Sequence, residues 1–119
     1  MPSVNVLVTL VETIASGNRT LSITVDPEPL IIANSTSAED VDIVWTLDNT
    51  NAPSWLFATK GIVVKAPGTH FSDNHGSGNG KMHGWKRKMR NHKKFVYTVN
   101  VETVGDGTTL SWDPKIYNN

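Results

Sequence analysis

The stretch FVYTVNVETVGDGTTLSW, residues 95–112, decides the fold class. Phe95, Tyr97, Val99 and Val101 alternate with polar or smaller neighbours, the period-2 signature of a strand with one buried face. Leu110 and Trp112 repeat it beyond a turn signal. Asp106–Gly107 reads as a two-residue type I′ turn, in which both central residues take positive φ. That register sets Val104 opposite Thr109, Thr103 opposite Leu110 and Val101 opposite Trp112. The apolar residues of both strands then share one face. A three-residue turn would set Leu110 and Trp112 beside Glu102 and Asn100, and is rejected on that ground.

The same alternation runs outward from this hairpin. Val4, Val6, Val8 and Leu10 form one stripe, and Leu21, Ile23 and Val25 another. A short strand around Leu30–Ala33 follows two prolines. Ile43, Trp45 and Leu47, then Trp55 and Phe57, then Ile62 and Val64 continue the series. SGN, DPEP, NSTSAED, LDNTNAP and VGDG punctuate it. Seven or eight short strands at this spacing predict an all-β fold, an antiparallel β-sandwich of immunoglobulin or cupredoxin-like type. At 119 residues the chain suits a single domain, 1–119, and no internal repeat is visible.

Composition narrows the chemistry. The chain has no cysteine, which excludes disulfides, thiolate zinc sites, Cys nucleophiles and blue-copper centres. Formal net charge is zero, yet seven of the eleven Lys and Arg fall within KMHGWKRKMRNHKK, residues 81–94. The rest carries four basic residues against eleven acids, so an acidic body bears one basic segment. MPSVNVLVTL lacks a basic n-region and a long apolar core, so it does not read as a signal peptide. No apolar run approaches the ~20 residues that span a bilayer. The reading is a cytoplasmic protein with no membrane contact, in which the NRT and NST sequons carry no weight.

Between Ala66 and Asn91 the strand pattern fails, and 66–94 reads as one long His- and Lys/Arg-rich loop or arm. Met82, Trp85 and Met89 fall at i, i+3 and i+7, the spacing of one face of a short basic helix, although Gly84 opposes it. His70, His75, His83 and His92 all lie here. They are weak metal candidates, because their spacings match no compact zinc pattern; solvated loop histidines are the plain alternative. Residues 81–94, with Trp85 among the cations, offer a polyanion site in which Lys and Arg meet phosphate and Trp stacks on a base. The competing reading lays this arm on the acidic body of its own protein. Trp55 and Trp85 suit a sugar-stacking platform or, more commonly, a sandwich core.

Phosphate loops, nucleophile elbows and HExxH motifs are absent, and no cofactor is implied. What remains is the Asp113–Pro114 bond. An Asp carboxyl can attack its own carbonyl carbon, and proline nitrogen leaves readily once protonated. The hairpin register sets Asn100 opposite Asp113 and Glu102 diagonal to it, within ~7–8 Å. Neighbouring carboxyls separate their pKa values into an acid and a base. The plain alternative is a pair of solvated surface acids on an outer sheet face.

VDPEP at 25–29, VWTLDN at 44–49, FVYTVNV at 95–101 and SWDPKIYN at 111–118 together resemble the bacterial DP-EP family. The resemblance implies one β-sandwich and an autoproteolytic, aspartic-peptidase-type activity that cuts Asp113–Pro114, with optional linkage of the new Asp end to a lysine. Under it the protein is its own substrate. Lys93 and Lys94, beside the FVYTV strand, are the lysine candidates. With Asp113 opposite Asn100, Lys94 is six residues away, roughly 20 Å, so linkage requires parted strands or a bulge. The carboxylate that activates water is Glu102 by hairpin geometry, or Asp26 or Glu28 of the DPEP stretch. Two further readings stand beside this one: a non-catalytic binding module using the basic arm, and a structural domain with an inert Asp-Pro turn.

Overall fold

A computed structural model describes residues 3–32, 40–88 and 93–118. It is all-β, with two mixed sheets. β1 (Ser3–Ala15), β2 (Asn18–Asp26), β4 (Val41–Asn51), β7 (Met82–Arg87) and β6 (Phe71–Gly76) form one, in the order β2-β1-β4-β7-β6. β3 (Leu30–Ile32), β10 (Lys115–Asn118), β8 (Lys93–Thr103) and β5 (Trp55–Val64) form the other, in the order β3-β10-β8-β5. β9 (Thr109–Trp112) pairs with β8 as well.

Most of the expected stripes are buried, but Leu110 and Trp112 of β9 stay exposed. Val6, Val8 and Leu10 of β1, Ile43 and Trp45 of β4, and Tyr97, Val99 and Val101 of β8 are buried. Each such side chain withdrawn from water contributes about 1.5–3 kcal/mol. The sheets meet where Trp45 and Tyr97 pack at 5.3 Å between ring centroids and Phe71 meets Phe95 edge-on at 4.8 Å. Trp85 donates its indole N–H across the layers to the Ile62 carbonyl, 2.8 Å. Trp55 is likewise buried and donates to Glu12 Oε2 at 3.1 Å. Both indoles therefore belong to the interior and not to an open sugar platform.

Several expectations change. The sheets are not wholly antiparallel: β1 runs parallel to β4, and β10 parallel to β3. The segment from 66 to 88 is no continuous loop, because β6 and β7 pair there, and β7 also pairs with β4. Met82 and Trp85 thus lie on a strand. Met89 and the rest of 89–92 fall outside the described residues. Gly84, which opposed the helix, sits opposite His75, whose ring would come within 2.6 Å of any Cβ added there. Trp55–Phe57 and Ile62–Val64 belong to one strand, β5, whose register against β8 shifts between Phe57 and Ile62.

The type I′ turn is at Ser16–Gly17, where both φ angles are positive, 52° and 79°. At Asp106–Gly107 only Gly107 has positive φ. There β8 and β9 pair Glu102 with Thr109 and Val101 with Leu110. The connection is a loop of four residues, 104–107, closed by Thr103 and Thr108. Asp106 fastens it by accepting from the Thr103 hydroxyl and, at 3.1 Å, from the Thr108 N–H. Those bonds favour the ionised form and pull the Asp106 pKa down to about 2. The register is therefore displaced by two residues from the tight-turn expectation.

Candidate functional site

That displacement rebuilds the surroundings of Asp113. β9 and β10 are one run along β8, pairing Val99 with Trp112 and Val96 with Lys115 in a single register. Proline has no N–H for the ladder, and regular pairing lapses at Asp113–Pro114. Tyr97 N–H still donates to the Pro114 carbonyl, 3.0 Å. Ladder alternation then makes Thr98 and Asp113 the next, non-hydrogen-bonded pair, in which side chains approach closely and the Asp113 carbonyl turns away from β8. The bond that an Asp carboxyl can open is thus outside the β8 hydrogen-bond ladder.

Two side chains meet the Asp113 carboxylate, and a third binds the backbone two residues on. Thr98 Oγ1 donates to Asp113 Oδ1 at 2.7 Å. Lys65 Nζ, at the end of β5, lies 3.3 Å from Asp113 Oδ2 after reaching across β8. Its backbone N–H is fixed on the Val96 carbonyl at 2.9 Å. Glu28 Oε1 accepts from the Lys115 N–H at 3.2 Å, one residue past Pro114. The Thr98 bond is the main cause that holds the Asp113 carboxyl below its ordinary pKa; desolvation opposes it, and the Lys65 bond and charge add smaller lowering contributions. Asp113 is half exposed, so this polarises a wet site and adds little stability. Beneath it, burial raises the Tyr97 phenol to about 12; the Trp45 indole opposes that shift and the Glu28 charge adds to it.

The other sequence candidates go elsewhere. Glu102 pairs with Leu56 and Thr109, four residues along β8 from Thr98, about 13 Å away. It is not the diagonal neighbour of Asp113; Asn100 lies opposite Ser111, whose hydroxyl it accepts at 2.5 Å. Asp26 ends β2 opposite Leu7 in the other sheet. Lys93 and Lys94 pair with Asn118 and Tyr117, and Lys94 Nζ stands 5.8 Å over the Tyr117 ring. Lys65 replaces both as the lysine at Asp113. Nothing in its own neighbourhood, GIVVK, singles it out; only the β5–β8 register does.

Within the described part of the basic segment, Lys86 and Lys88 pair with acids of the same chain. Lys88 Nζ is 2.8 Å from Asp40, and Lys86 Nζ is 3.5 Å from Asp73 and 4.0 Å from Asp42. Arg87 is fully buried. The histidines are dispersed in role. His83 is buried, with Nε2 against Asn74 Oδ1, and burial followed by the His75 charge lowers its pKa to about 4. His75 Nδ1 meets the Asp73 carbonyl at 2.7 Å, and His70 packs on Phe95. His92 lies outside the described residues. Among the described residues no cluster of three His, Asp or Glu side chains is placed to hold a metal.

His83 also lines a cleft of about 540 Å³ between β5 and the 76–80 turn, with Leu56, Met82, Glu102 and Val104 around it. The cleft lies at the Glu102 end of β8, away from Asp113. No helix among the described residues is long and apolar enough to cross a membrane. No protein-family model matches the chain, and no curated protein matches it.

Proposed function

We propose that this protein is a β-sandwich of immunoglobulin or cupredoxin-like type, similar to the DP-EP family, that cuts itself at Asp113–Pro114 and joins Asp113 to Lys65. The observation that carries this reading is the Lys65 ammonium 3.3 Å from the Asp113 carboxylate, on the residue that precedes the scissile bond.

The chemistry balances with the groups present. An Asp113 carboxylate oxygen attacks the Asp113 backbone carbonyl carbon and closes a five-membered anhydride. The bond to Pro114 nitrogen breaks, and that nitrogen takes a proton, which the Lys65 ammonium can give up. Neutral Lys65 then attacks one anhydride carbonyl, the ring C–O bond breaks, and an amide and a carboxylate result. Glu28 accepts the proton shed by the attacking amine. When water attacks instead, Glu28 takes its proton and two free carboxyls remain. Thr98 positions the nucleophilic carboxylate and keeps it ionised.

Intact mass tests this directly. Folded protein held from mildly acidic to neutral pH should yield a species ending at Asp113. That species appears either at its free-acid mass or one water lighter, as the amide requires. Asp113→Ala should give neither product. Persistent full-length mass after long incubation would reduce Asp113–Pro114 to a turn.

A further inference from the structure

The strand beyond the proposed cut is central in its sheet. β10 lies between β3 and β8, with Ile116 opposite Leu30 on one side and Phe95 on the other. Ile116 is fully buried, Pro114 is buried, and Leu30 and Ile32 flank them inside the core. While the Asp113–Pro114 bond stands, the strand is tethered beside its slot at a high effective concentration. Once the bond opens, only non-covalent contacts hold it, and occupancy follows mass action. A vacated slot would present two unpaired strand edges above an apolar floor, a template for any matching strand.

We infer that the slot between β3 and β8 is an exchangeable strand site: after cleavage it takes, in trans, residues 114–119 of a second copy. The inference rests on the cleavage reading for how the slot empties, but not for what it binds. The present strand states the requirements. The first residue pairs with Tyr97 through its carbonyl, as Pro114 does. The third must be a medium-sized aliphatic that fits the space of Ile116. The second and fourth point outward, where Lys115 is exposed and Tyr117 lies under Lys94. Upstream, β9 keeps its pairing with β8, and an amide from Asp113 to Lys65 would clamp the edge of the slot to β5.

Two experiments decide this, and the first needs no cleavage. Full-length Ile116→Asp, whose own strand is unfit for the core, is titrated with synthetic PKIYNN. The peptide should bind and raise Tm by several degrees, or restore the β-sheet circular dichroism if the variant is unfolded alone. A peptide with Asp in place of its isoleucine should do neither, and uncut wild-type protein should bind PKIYNN at least about tenfold more weakly, its slot being filled. No binding and no rescue at millimolar peptide would overturn the inference. In the second, wild-type protein shown to be cut by denaturing mass is incubated with isotope-labelled PKIYNN and weighed under native conditions. Uptake of label supports exchange, and permanent retention of the original segment refutes it. Protein that never cuts counts against the cleavage reading alone and leaves the first experiment to decide.

Discussion

Replacing Glu28 and Glu102 by glutamine separates the geometry seen here from the one a tight hairpin would create. Glu28 Oε1 receives the Lys115 N–H at 3.2 Å, and glutamine keeps an oxygen acceptor there. β10 should stay in register while the proton acceptor is lost. In the proposed reaction β10 pairing would hold the freed Pro114 amine beside the anhydride, where it can re-form the peptide bond, so trapping by Lys65 or water would govern the net rate. Removing the base that serves that step should slow cleavage by ~10²–10⁴-fold, about 3–5 kcal/mol on the barrier. Glu102 is about 13 Å along β8 from Thr98, too far for proton transfer, and Glu102→Gln should change the rate by less than about twofold. The assay is loss of full-length mass with time, with Tm of each variant confirming the fold. Slow cleavage in Glu102→Gln with a normal rate in Glu28→Gln would refute the reasoning.

Other outcomes follow from the same contacts. Lys65→Arg keeps a cation beside Asp113 but has no amine to trap the anhydride, so mass spectra should show the free-acid product and lose the species one water lighter. The His83 pKa is depressed in the fold to about 4 from an ordinary 6.5, so its contribution is full above about pH 6.5 and is lost as pH falls toward 4. At about 1.4 kcal/mol per tenfold change in proton affinity, the loss is at most on the order of 3 kcal/mol, and His83→Gln should flatten that limb of a denaturation-versus-pH curve. Wild-type protein should pass through heparin at low salt because Asp40, Asp42 and Asp73 engage Lys86 and Lys88, while Asp40→Asn with Asp73→Asn should be retained in a salt-dependent way.

The layers were legible because burial obeys period 2. Val6, Val8 and Leu10, or Tyr97, Val99 and Val101, announce an inner face without reference to any partner. β7 was not legible: Met82, Trp85 and Met89 fit a helical face, and Gly84 looked like a helix breaker. Its true role depends on the ring of His75 from the neighbouring strand, a contact invisible to local pattern. β10 was hidden for a related reason. KIYN offers one core residue, Ile116, too few for a stripe, and it becomes a strand because β3 and β8 supply edges on both sides. The basic run is ambiguous in sequence because charge counts show that acids exist but not which ones lie within 4 Å.

The site failed to be legible through a more general degeneracy. A one-residue slip between strands exchanges faces and is excluded by burial; a two-residue slip returns every side chain to the same face. Val101 can oppose Trp112 or Leu110 with the same apolar match. Burial therefore cannot choose between the tight Asp106–Gly107 turn and the four-residue loop of 104–107. Two features outside that pattern can. Asp106 closes the longer loop through Thr103 and Thr108, and β10 continues the same register down to the Lys93–Asn118 pair. Chemistry does not share burial's indifference, because two residues are about 6.6 Å of strand. In one register Asp113 faces Asn100, with Glu102 diagonal to it. In the other it faces Thr98, with Lys65 at 3.3 Å and Glu28 just past the proline. The same apolar stripe supports both registers, and the second brings the Lys65 amine to the Asp113 carboxylate.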